Sequence, residues 1–549
     1  MKFKLFFTTI NRNYLLIIPF LLFFCVHGNT AIQDRNVVIV IFDGASTQAV
    51  EKMVAQGKMP VLKNMMENGS YVKAGTSILP STTGPAYAPF VMGLFPDKSL
   101  LPGIRWYDRV KGIYRTYCGT DAMKMNEDVS KKFPTIYELL GNEHTLSVFG
   151  FITRGCKATG MPLFQMLKAK LQKNDHNLDN SLFDSFRKNV EKKFPRFAFI
   201  SLHSIDSNGH SKGANSDEYY KSLTHCDGIL GKIMDLYKKM GEFDKTVFIV
   251  SSDHGQRAVN RRKGLKPFLD LKNLRVVDSV ARSTIKFNFL KNKIKNNSDC
   301  VLAVSGNAFV QLYFKDQVSK KMEIRPGYEQ LRNYPVPRII PSPLFVAEDN
   351  VNTFYPTENI DLVEELLKIE SVNLVFLKDQ EKAHVFNKTG HSIITRNGTT
   401  YSYTLADGSD PLRYTIDAKA ALLVGNKFYN IDHWLAATVD SDYPDGIVQI
   451  SRFLDTPGSG DIVVNSALDY EPWCEGQKGL HGGLERSEIL VPIIFYGADI
   501  KKTVIPYART VDIFPVVLKI FGLISPPNID GKELPVFIET KSLKKAQKF

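Results

Sequence analysis

The sequence has few cysteines, and no two of them form a C-x-x-C pair. Six cysteines occur in 549 residues, at positions 25, 118, 156, 226, 300 and 474. This spacing argues against a zinc site built from thiolates. It is compatible with one or two disulfides, but spacing alone does not pair the cysteines.

Signatures of nucleic-acid binding are also lacking. The formal net charge is +13, and a basic chain suits anionic partners such as phosphates or acidic lipids. No RNA-binding motif and no basic run with interleaved aromatic residues occurs, so we expect no specific nucleic-acid partner. The expected partner is a phosphorylated small molecule or lipid, although solvated surface lysines would account for the same charge.

Only one long apolar run is present, and it is short for a membrane span. Basic residues precede the 13-residue run at 14–26, which is typical of a signal peptide covering 1–28 with cleavage after Gly28. An uncleaved anchor remains an alternative, and a lipoprotein through Cys25 is disfavoured by the bulky residue before it. We expect a mature chain that is secreted, periplasmic or otherwise extracytoplasmic, without a membrane span.

Continuous apolar runs that end in polar residues indicate buried parallel strands. The clearest are "NVVIVIFDG" (36–44), "FAFISLH" (197–203) and "TVFIVSSDHG" (246–255). Helical patterns follow at 47–57 and 216–240. Further strands are predicted at 145–151, 460–466 and 491–497. The alternation of strands and helices predicts an α/β fold with a doubly wound, mostly parallel sheet.

Residues 260–440 have a different sequence pattern from the rest of the chain, and this pattern predicts an inserted α+β cap subdomain. Short β-rich runs occur at 308–314, 372–378 and 399–405, and a helix is predicted at 357–369. The predicted organisation is a signal peptide (1–28), the first part of the catalytic core (36–259), the cap (260–440), the second part of the core (441–535) and a basic tail (536–549).

The stretch "HSIDSNGHSKG" (203–213) allows two interpretations. Its last five residues fit the G-x-S-x-G nucleophile elbow of serine hydrolases, which needs a strand directly before the serine and a helix directly after it. Here a polar segment precedes Ser211 and the next helix begins only near 216, so the elbow is disfavoured. Asp206 and His210, four residues apart, favour a metal-binding loop instead.

Further metal-ligand candidates follow the predicted strands. Asp43, Asp206, Asp253 and His254 stand at strand ends, which meet at one sheet edge in such folds, while His210 and His481 lie in loops. Each alone is explained as a helix cap or a loop histidine. Together, carboxylate oxygens and imidazole nitrogens predict a site for zinc, or for manganese.

The segment "LPSTTGPAYAPFVMG" (79–93) supplies a candidate nucleophile. Thr83 precedes Gly84 and Pro85, where a helix starts, so it is predicted to occupy the N-cap position. It either only caps the helix or also attacks phosphorus. A bound metal ion would lower the pKa of its hydroxyl.

Five segments together resemble the type I phosphodiesterase/nucleotide pyrophosphatase branch of the alkaline phosphatase superfamily. They are "VIVIFDG", "PSTTGPAYAPFVMG", "IDSNGHSKG", "SSDHG" and "HGGLERSEILVPIIFYG". The resemblance implies two divalent metal ions, zinc or manganese, and hydrolysis of phosphodiester or pyrophosphate bonds through a phospho-threonine on Thr83. It implies one metal held by Asp206, His210 and His481. The other would be held by Asp43, Thr83, Asp253 and His254.

The chain departs from this branch at one position, since Ala86 stands where an asparagine usually contacts phosphate. Phosphomonoesterase or phosphotransferase activity on the same site therefore remains an alternative, with a serine hydrolase or a non-catalytic binder of phosphorylated ligands further behind. No sulfatase-type C-x-P-x-R motif occurs. The segment "PGIRWYDR" offers candidate substrate contacts: Arg105, Trp106, Tyr107 and Arg109.

Overall fold

The computed structural model describes residues 34–160, 175–278, 298–337, 357–473 and 475–538. The predicted signal peptide, Cys25, Cys474 and nearly all of the predicted basic tail lie outside these ranges. Among the helices within them, none combines the length and apolar character needed to cross a membrane. The four described cysteines, at 118, 156, 226 and 300, are free thiols.

The described residues form a central sheet of eight strands. Their spatial order is Thr503–Arg509, Ser70–Thr76, Leu490–Gly497, Thr246–Ser251, Asn36–Phe42, Phe197–Leu202, Thr145–Val148 and Ala158–Gly160. Neighbouring strands are parallel except around Leu490–Gly497, which is antiparallel to both of its neighbours. Every residue of Asn36–Phe42 is buried, as the apolar run predicts. The predicted α/β fold with a mostly parallel sheet is confirmed.

Long amphipathic helices pack against this sheet. The predicted helix at 216–240 is observed at Asp217–Lys239, and the Oγ of Ser216 caps it by accepting the Tyr219 amide at 3.2 Å. The predicted helix at 47–57 is observed at Thr47–Ala55. The other helices that the structure describes before residue 279 are Pro60–Asn68, Ala88–Met92, Pro96–Ser99, Met125–Asp128, Ile136–Leu139, Asp175–Lys192, Ser204–Lys212 and Leu265–Leu271.

A second sheet, largely antiparallel, contains nine strands of the described chain. Their spatial order is Val276–Asp278, Cys300–Ser305, Phe309–Phe314, Ile462–Ser466, Val372–Asp379, Lys382–Asn387, Gly390–Asn397, Thr400–Gly408 and Gly425–Asn430. Helix Gly446–Leu454 packs its apolar side chains into the same core as these strands. Within the described ranges the remaining helices are Tyr328–Arg332, Leu362–Leu367, Ile431–Thr438, Arg486–Ile489 and Ile513–Ile520.

Two sequence expectations change here. The strand predicted at 460–466 was grouped with the core, but Ile462–Ser466 lies inside the second sheet, antiparallel to Phe309–Phe314. It is buried throughout, so its apolar pattern does not distinguish the two sheets. The helix predicted at 357–369 is shorter than expected and spans Leu362–Leu367, because Thr357–Ile360 pairs as a strand. The domain limits themselves stay predictions.

Small sheets complete the chain. A hairpin joins Arg105–Asp108 to Ile113–Thr116, and Tyr334–Pro337 pairs with Thr357–Ile360. Strand Arg257–Arg262 pairs on one side with Asp469–Glu471 and on the other with Gly479–Leu480. The pairing of Gly479–Leu480 with Arg257–Arg262 places the segment before His481 close to the chain that follows strand Thr246–Ser251.

A buried ion pair connects the central sheet to helix Gly446–Leu454, which packs in the core of the second sheet. Arg509, at the end of a central-sheet strand, is 1% exposed and donates from Nε and Nη2 to the two carboxylate oxygens of Asp445, each at 2.7 Å. Gln449 donates to the same carboxylate at 2.9 Å and to the Ser77 carbonyl at 3.1 Å. It also accepts the Leu79 amide at 2.9 Å. The network therefore fixes the segment that leads to Thr83.

We expect Arg509→Ala to lower the free energy of unfolding by about 3–5 kcal/mol, because it leaves a buried carboxylate without its counter-charge. Arg413→Ala is the matched control. Its pair with Asp442 spans 3.0 Å between side chains that are 62% and 59% exposed, so its loss should cost at most about 1 kcal/mol. Urea unfolding followed by circular dichroism measures both, and equal losses would contradict this ranking.

Candidate metal centre

Three neighbouring parallel strands end at the same edge of the central sheet. Asp43 follows Asn36–Phe42, His203 follows Phe197–Leu202, and Asp253 comes two residues after Thr246–Ser251. The backbone amide of Asp43 donates to the Leu202 carbonyl at 3.0 Å, which ties two of these strand ends together. Strand register therefore brings acidic and imidazole groups from distant parts of the sequence to one place.

Asp206 and His210 lie on a helix, Ser204–Lys212, and not in the predicted loop. Their spacing of four residues places both side chains on one helix face, with Asp206 Oδ1 3.3 Å from His210 Nε2. Ser211 is an exposed residue of the same helix, so the strand–serine–helix turn of a nucleophile elbow is not formed there.

Gly44 allows the first strand end to approach this helix. It has φ of +80°, and a Cβ atom there would lie 2.9 Å from the Cα of Asp206. Both the left-handed conformation and the close backbone approach require glycine. The "FDG" motif thus sets the distance between Asp43 and Asp206.

Three groups of potential metal ligands result among the described residues, each with its ligand atoms within 4.8 Å of one another. Two of them share no residue: one is Asp206, His210 and His481, and the other is Asp43, Asp253 and His254. The third combines Asp43 and Asp206 with His203. In the first group the Nε2 atoms of His210 and His481 are 3.1 Å apart. The six residues of the first two groups were predicted from the sequence as ligand candidates, and the structure brings them together in these two groups.

The Thr83 hydroxyl belongs to the second group. Its Oγ1 lies 3.3 Å from Asp43 Oδ1 and 3.0 Å from His254 Nε2. The predicted N-cap role is wrong, because Gly84 occupies the cap position of the short 3₁₀ helix Pro85–Tyr87 and no side chain caps that helix. The Thr83 hydroxyl is therefore directed at the acidic and imidazole groups.

Backbone carbonyl groups set the tautomer of all three histidines. The Nδ1 atoms of His210, His254 and His481 lie 2.8, 3.0 and 2.9 Å from the carbonyl oxygens of Gly479, Gly255 and Ser81, respectively. A nitrogen this close to a carbonyl oxygen is a donor. In the neutral imidazole each Nε2 then carries a lone pair that faces the site, which is the form that ligates a metal ion.

The second sheet helps to hold His481 in place. The backbone of His481 donates to the Gly306 carbonyl at 2.9 Å and accepts the Ala308 amide at 3.0 Å. Both partners lie in the turn between Cys300–Ser305 and Phe309–Phe314. The ring of His481 also stacks on that of His254, with centroids 3.6 Å apart. The region predicted as a cap therefore positions a residue of the site.

The carboxylates of Asp43, Asp206 and Asp253 are buried at this sheet edge. Burial and neighbouring charged groups shift the pKa of Asp253 and of Asp206. Burial and the neighbouring Asp43 raise the pKa of Asp253 to about 7, and its Oδ2 atom has no hydrogen-bond partner. Burial opposes the charged form of Asp206, but His210 and His481 hold its pKa well below the usual value. Buried carboxylates with lone-pair histidines form a donor set suited to divalent cations such as zinc or manganese.

The sequence analysis missed two residues of this region. His203 Nδ1 is 2.9 Å from Asp43 Oδ2; burial opposes its charged form, but the bond to Asp43 raises its pKa to about 10. Gln256 donates from Nε2 to the carbonyl and to Oδ1 of Asp206. The position of His203 directly after a strand was an available signal, whereas Gln256 had none.

The predicted substrate contacts lie on the hairpin 105–116 and have structural partners. Trp106 Nε1 donates to the Tyr117 hydroxyl at 3.0 Å, and Tyr107 packs edge-on against Tyr313. Arg109 forms an ion pair with Asp461. Their role and that of Arg105 in substrate binding stay predictions.

Ala86 is fully buried in an apolar cluster that includes Ile78, Leu79 and Phe453. The missing asparagine is thus replaced by a packed side chain of the protein core. Its environment is apolar, as expected from alanine at this position.

Comparison with known protein sequences finds relatives that are named ectonucleotide pyrophosphatase/phosphodiesterase. Over 226 residues, 40% of the chain, the sequence is 24% identical to human ectonucleotide pyrophosphatase/phosphodiesterase family member 1. The rat protein of the same name is 25% identical over 227 residues, again 40% of the chain. The matched segment spans only 24% of the length of each of these relatives.

Solved structures show the same fold. Murine ectonucleotide pyrophosphatase/phosphodiesterase 5 superimposes with a TM-score of 0.53 at 12% identity, covering 91% of this chain and 98% of that one. The human protein of that name gives a TM-score of 0.53 at 12% identity, covering 91% and 97%. Residues 37–358, more than half of the sequence, match the profile of type I phosphodiesterases/nucleotide pyrophosphatases. The chain therefore belongs to the type I phosphodiesterase/nucleotide pyrophosphatase family.

Proposed function

We propose that this protein hydrolyses phosphodiester or pyrophosphate bonds with the help of two divalent metal ions, through a phospho-threonine on Thr83. The observation that carries the proposal is the Thr83 hydroxyl, which lies 3.3 Å from Asp43 Oδ1 and 3.0 Å from His254 Nε2 without capping a helix. Both contacts of the hydroxyl are with side chains of the proposed ligand set. Family membership supports the same reaction class.

Seven residues would hold the two ions. One set is Asp206, His210 and His481, and the other is Asp43, Thr83, Asp253 and His254. The Nε2 atoms that face the site and the Oδ2 of Asp253, which has no hydrogen-bond partner, fit this assignment. When bound, divalent cations would supply charge neutralisation at the phosphoryl oxygens and a lowered pKa for the threonine hydroxyl. Zinc suits the nitrogen-rich set best, and manganese is the alternative.

The proposed reaction has two steps, attack by Thr83 and hydrolysis of the phospho-threonine. Thr83 Oγ1 attacks phosphorus, so that the new Oγ1–P bond forms as the bond to the leaving oxygen breaks. The hydroxyl proton leaves towards the acceptors that surround it. Water then attacks the phospho-threonine, the Oγ1–P bond breaks, and Thr83 regains a proton. The hydrogen bonds of Gly479, Gly255 and Ser81 keep the three imidazoles in one orientation through both steps.

The substrate is proposed to be a diester or pyrophosphate with a second substituent, derived from a phosphorylated small molecule or lipid. A monoester brings a second negative charge, which requires additional donors around its free oxygens. Ala86 supplies no donor, and its surroundings are apolar. This favours a substrate in which one phosphoryl oxygen carries a neutral or bulky group. A secreted or otherwise extracytoplasmic location is proposed with it.

Removal of divalent metal should abolish hydrolysis, because the two ligand groups then lack their cations. Purified protein is expected to contain about two ions of zinc or manganese per chain, measured by mass spectrometry of the metals. A chelator should stop hydrolysis of bis-(p-nitrophenyl) phosphate, and added divalent metal should restore it. Full activity in excess chelator would contradict the two-metal proposal.

Thr83→Ala should reduce kcat by at least about 10³-fold, because the attacking atom is removed. Thr82→Ala is the matched control, one residue away and also buried, and it should retain most of the activity. Thermal unfolding of both variants checks that the fold persists. Their metal content checks that the set Asp206, His210 and His481 still binds an ion. An essential Thr82 with a dispensable Thr83 would place the nucleophile one residue earlier.

We expect bis-(p-nitrophenyl) phosphate or a nucleotide p-nitrophenyl ester to have a higher kcat/KM than p-nitrophenyl phosphate. Initial rates over a substrate series measure the ratio, with the free-metal concentration held constant. A tenfold preference for the monoester, about 1.4 kcal/mol in transition-state binding, would favour the phosphatase alternative. Ala86→Asn is expected to lower stability, since it buries an amide in an apolar cluster.

A further inference from the structure

We infer that His203 is a positioning residue that fixes the orientation of the Asp43 carboxylate towards Thr83 and His254. The inference rests on the proposed metal site and goes beyond it, because the proposed ligand sets do not include His203. It is carried by the hydrogen bond between the two side chains, in which His203 Nδ1 lies 2.9 Å from Asp43 Oδ2.

The two oxygens of Asp43 have different tasks in this arrangement. Oδ2 faces His203, while Oδ1 lies 3.3 Å from Thr83 Oγ1 and 3.4 Å from His254 Nε2. A carboxylate held at one oxygen by a fixed donor has a single preferred orientation, and such partners of ligands tune metal affinity. Without His203, nothing among the described side-chain contacts of Asp43 holds Oδ2.

His203 itself is rigidly held. Its backbone amide donates to Asp179 Oδ1 at 2.7 Å, and the Ser204 amide donates to the same carboxylate at 3.2 Å. Asp179 is fully buried beneath them. The His203 ring packs against Phe149, with ring centroids 5.5 Å apart. A donor with so little freedom is suited to fixing its acceptor.

The alternative is that His203 is itself a metal ligand, since Nδ1 or Nε2 of His203 also lies within 4.8 Å of carboxylate oxygens of Asp43 and Asp206. Ligation through Nδ1 would make a lone pair face a carboxylate oxygen at 2.9 Å, which is repulsive. A proton on Nδ1 removes that repulsion in both the neutral and the charged imidazole. The contact is therefore assigned as a hydrogen bond from His203 to Asp43. Ligation through Nε2 is separated from a positioning role by the His203→Asn variant, which keeps the donor but has no Nε2.

Three variants of the full chain separate these roles. In His203→Asn the amide nitrogen occupies nearly the position of Nδ1, so the donor is kept. In His203→Gln the donor is moved one bond further out, and in His203→Ala it is lost. His433→Ala is the matched control, because exposed His433 has a similar contact between Nδ1 and Asn430 Oδ1 at 2.8 Å, on a helix that carries none of the proposed ligands.

The measurement is Zn²⁺ affinity, obtained by competition with a chromophoric chelator and by the number of ions retained per chain. His203→Ala and His203→Gln should weaken one of the two sites about 10–100-fold and leave the other unchanged. His203→Asn and His433→Ala should stay within about threefold of the wild type. In hydrolysis of bis-(p-nitrophenyl) phosphate, saturating zinc should restore most of the kcat of His203→Ala.

Two results would overturn the inference. Equal zinc affinity of His203→Ala and the wild type means that His203 does not position Asp43. Loss of an ion in His203→Asn as well as in His203→Ala means that the imidazole is a ligand. If the wild type itself retains no zinc, the proposed function fails first, so the two failures are distinguishable.

Discussion

The repulsion between three buried carboxylates is the constraint on which the site depends. Asp43, Asp206 and Asp253 are brought to one sheet edge by parallel strands and by the helix that follows one of them, and all three are shielded from water. Burying like charges together is costly unless positive charge is supplied. The imidazole of His203, whose pKa is raised to about 10, supplies part of it. Divalent cations, as proposed, would supply the rest.

The surrounding structure is organised to prevent these groups from relieving that repulsion by moving apart. Carbonyl oxygens fix the histidine rings, Gln256 holds Asp206, and the turn of the second sheet at 306–308 holds the His481 backbone. The buried pair of Arg509 and Asp445, through Gln449, fixes the segment that precedes Thr83. Preorganisation of this kind is needed wherever a site must bind charge without rearranging.

Much of this arrangement was predictable from sequence, for a physical reason. A parallel strand buried on both faces must be apolar, and its polar residues are confined to its ends. Asp43, Asp253 and His254 follow such runs directly, and so they could be assigned to one edge before any coordinates were known. Asp206 and His210 could be assigned as a pair, although the helix that carries them reads as a polar loop because its apolar content is low.

Other features had no local signal. The apolar run at 462–466 is the same whether it lies in the central or the second sheet, and only its partners Phe309–Phe314 and Val372–Asp379 decide the matter. Thr83 precedes a glycine and a proline, so local rules predict a cap. The observed backbone moves the cap to Gly84 and releases the hydroxyl. His203 was overlooked because its importance depends on Asp43, 160 residues away.

The amino-acid sequence alone determined the α/β class, the family and the identity of all the acidic and imidazole candidates except His203, because burial pattern and residue chemistry are local properties. Tertiary structure decided which groups share a site, which nitrogen of each histidine faces it, and that a turn of the second sheet completes it. Those properties depend on distances between residues far apart in the chain, and such distances exist only once the strands are in register and the two sheets are packed.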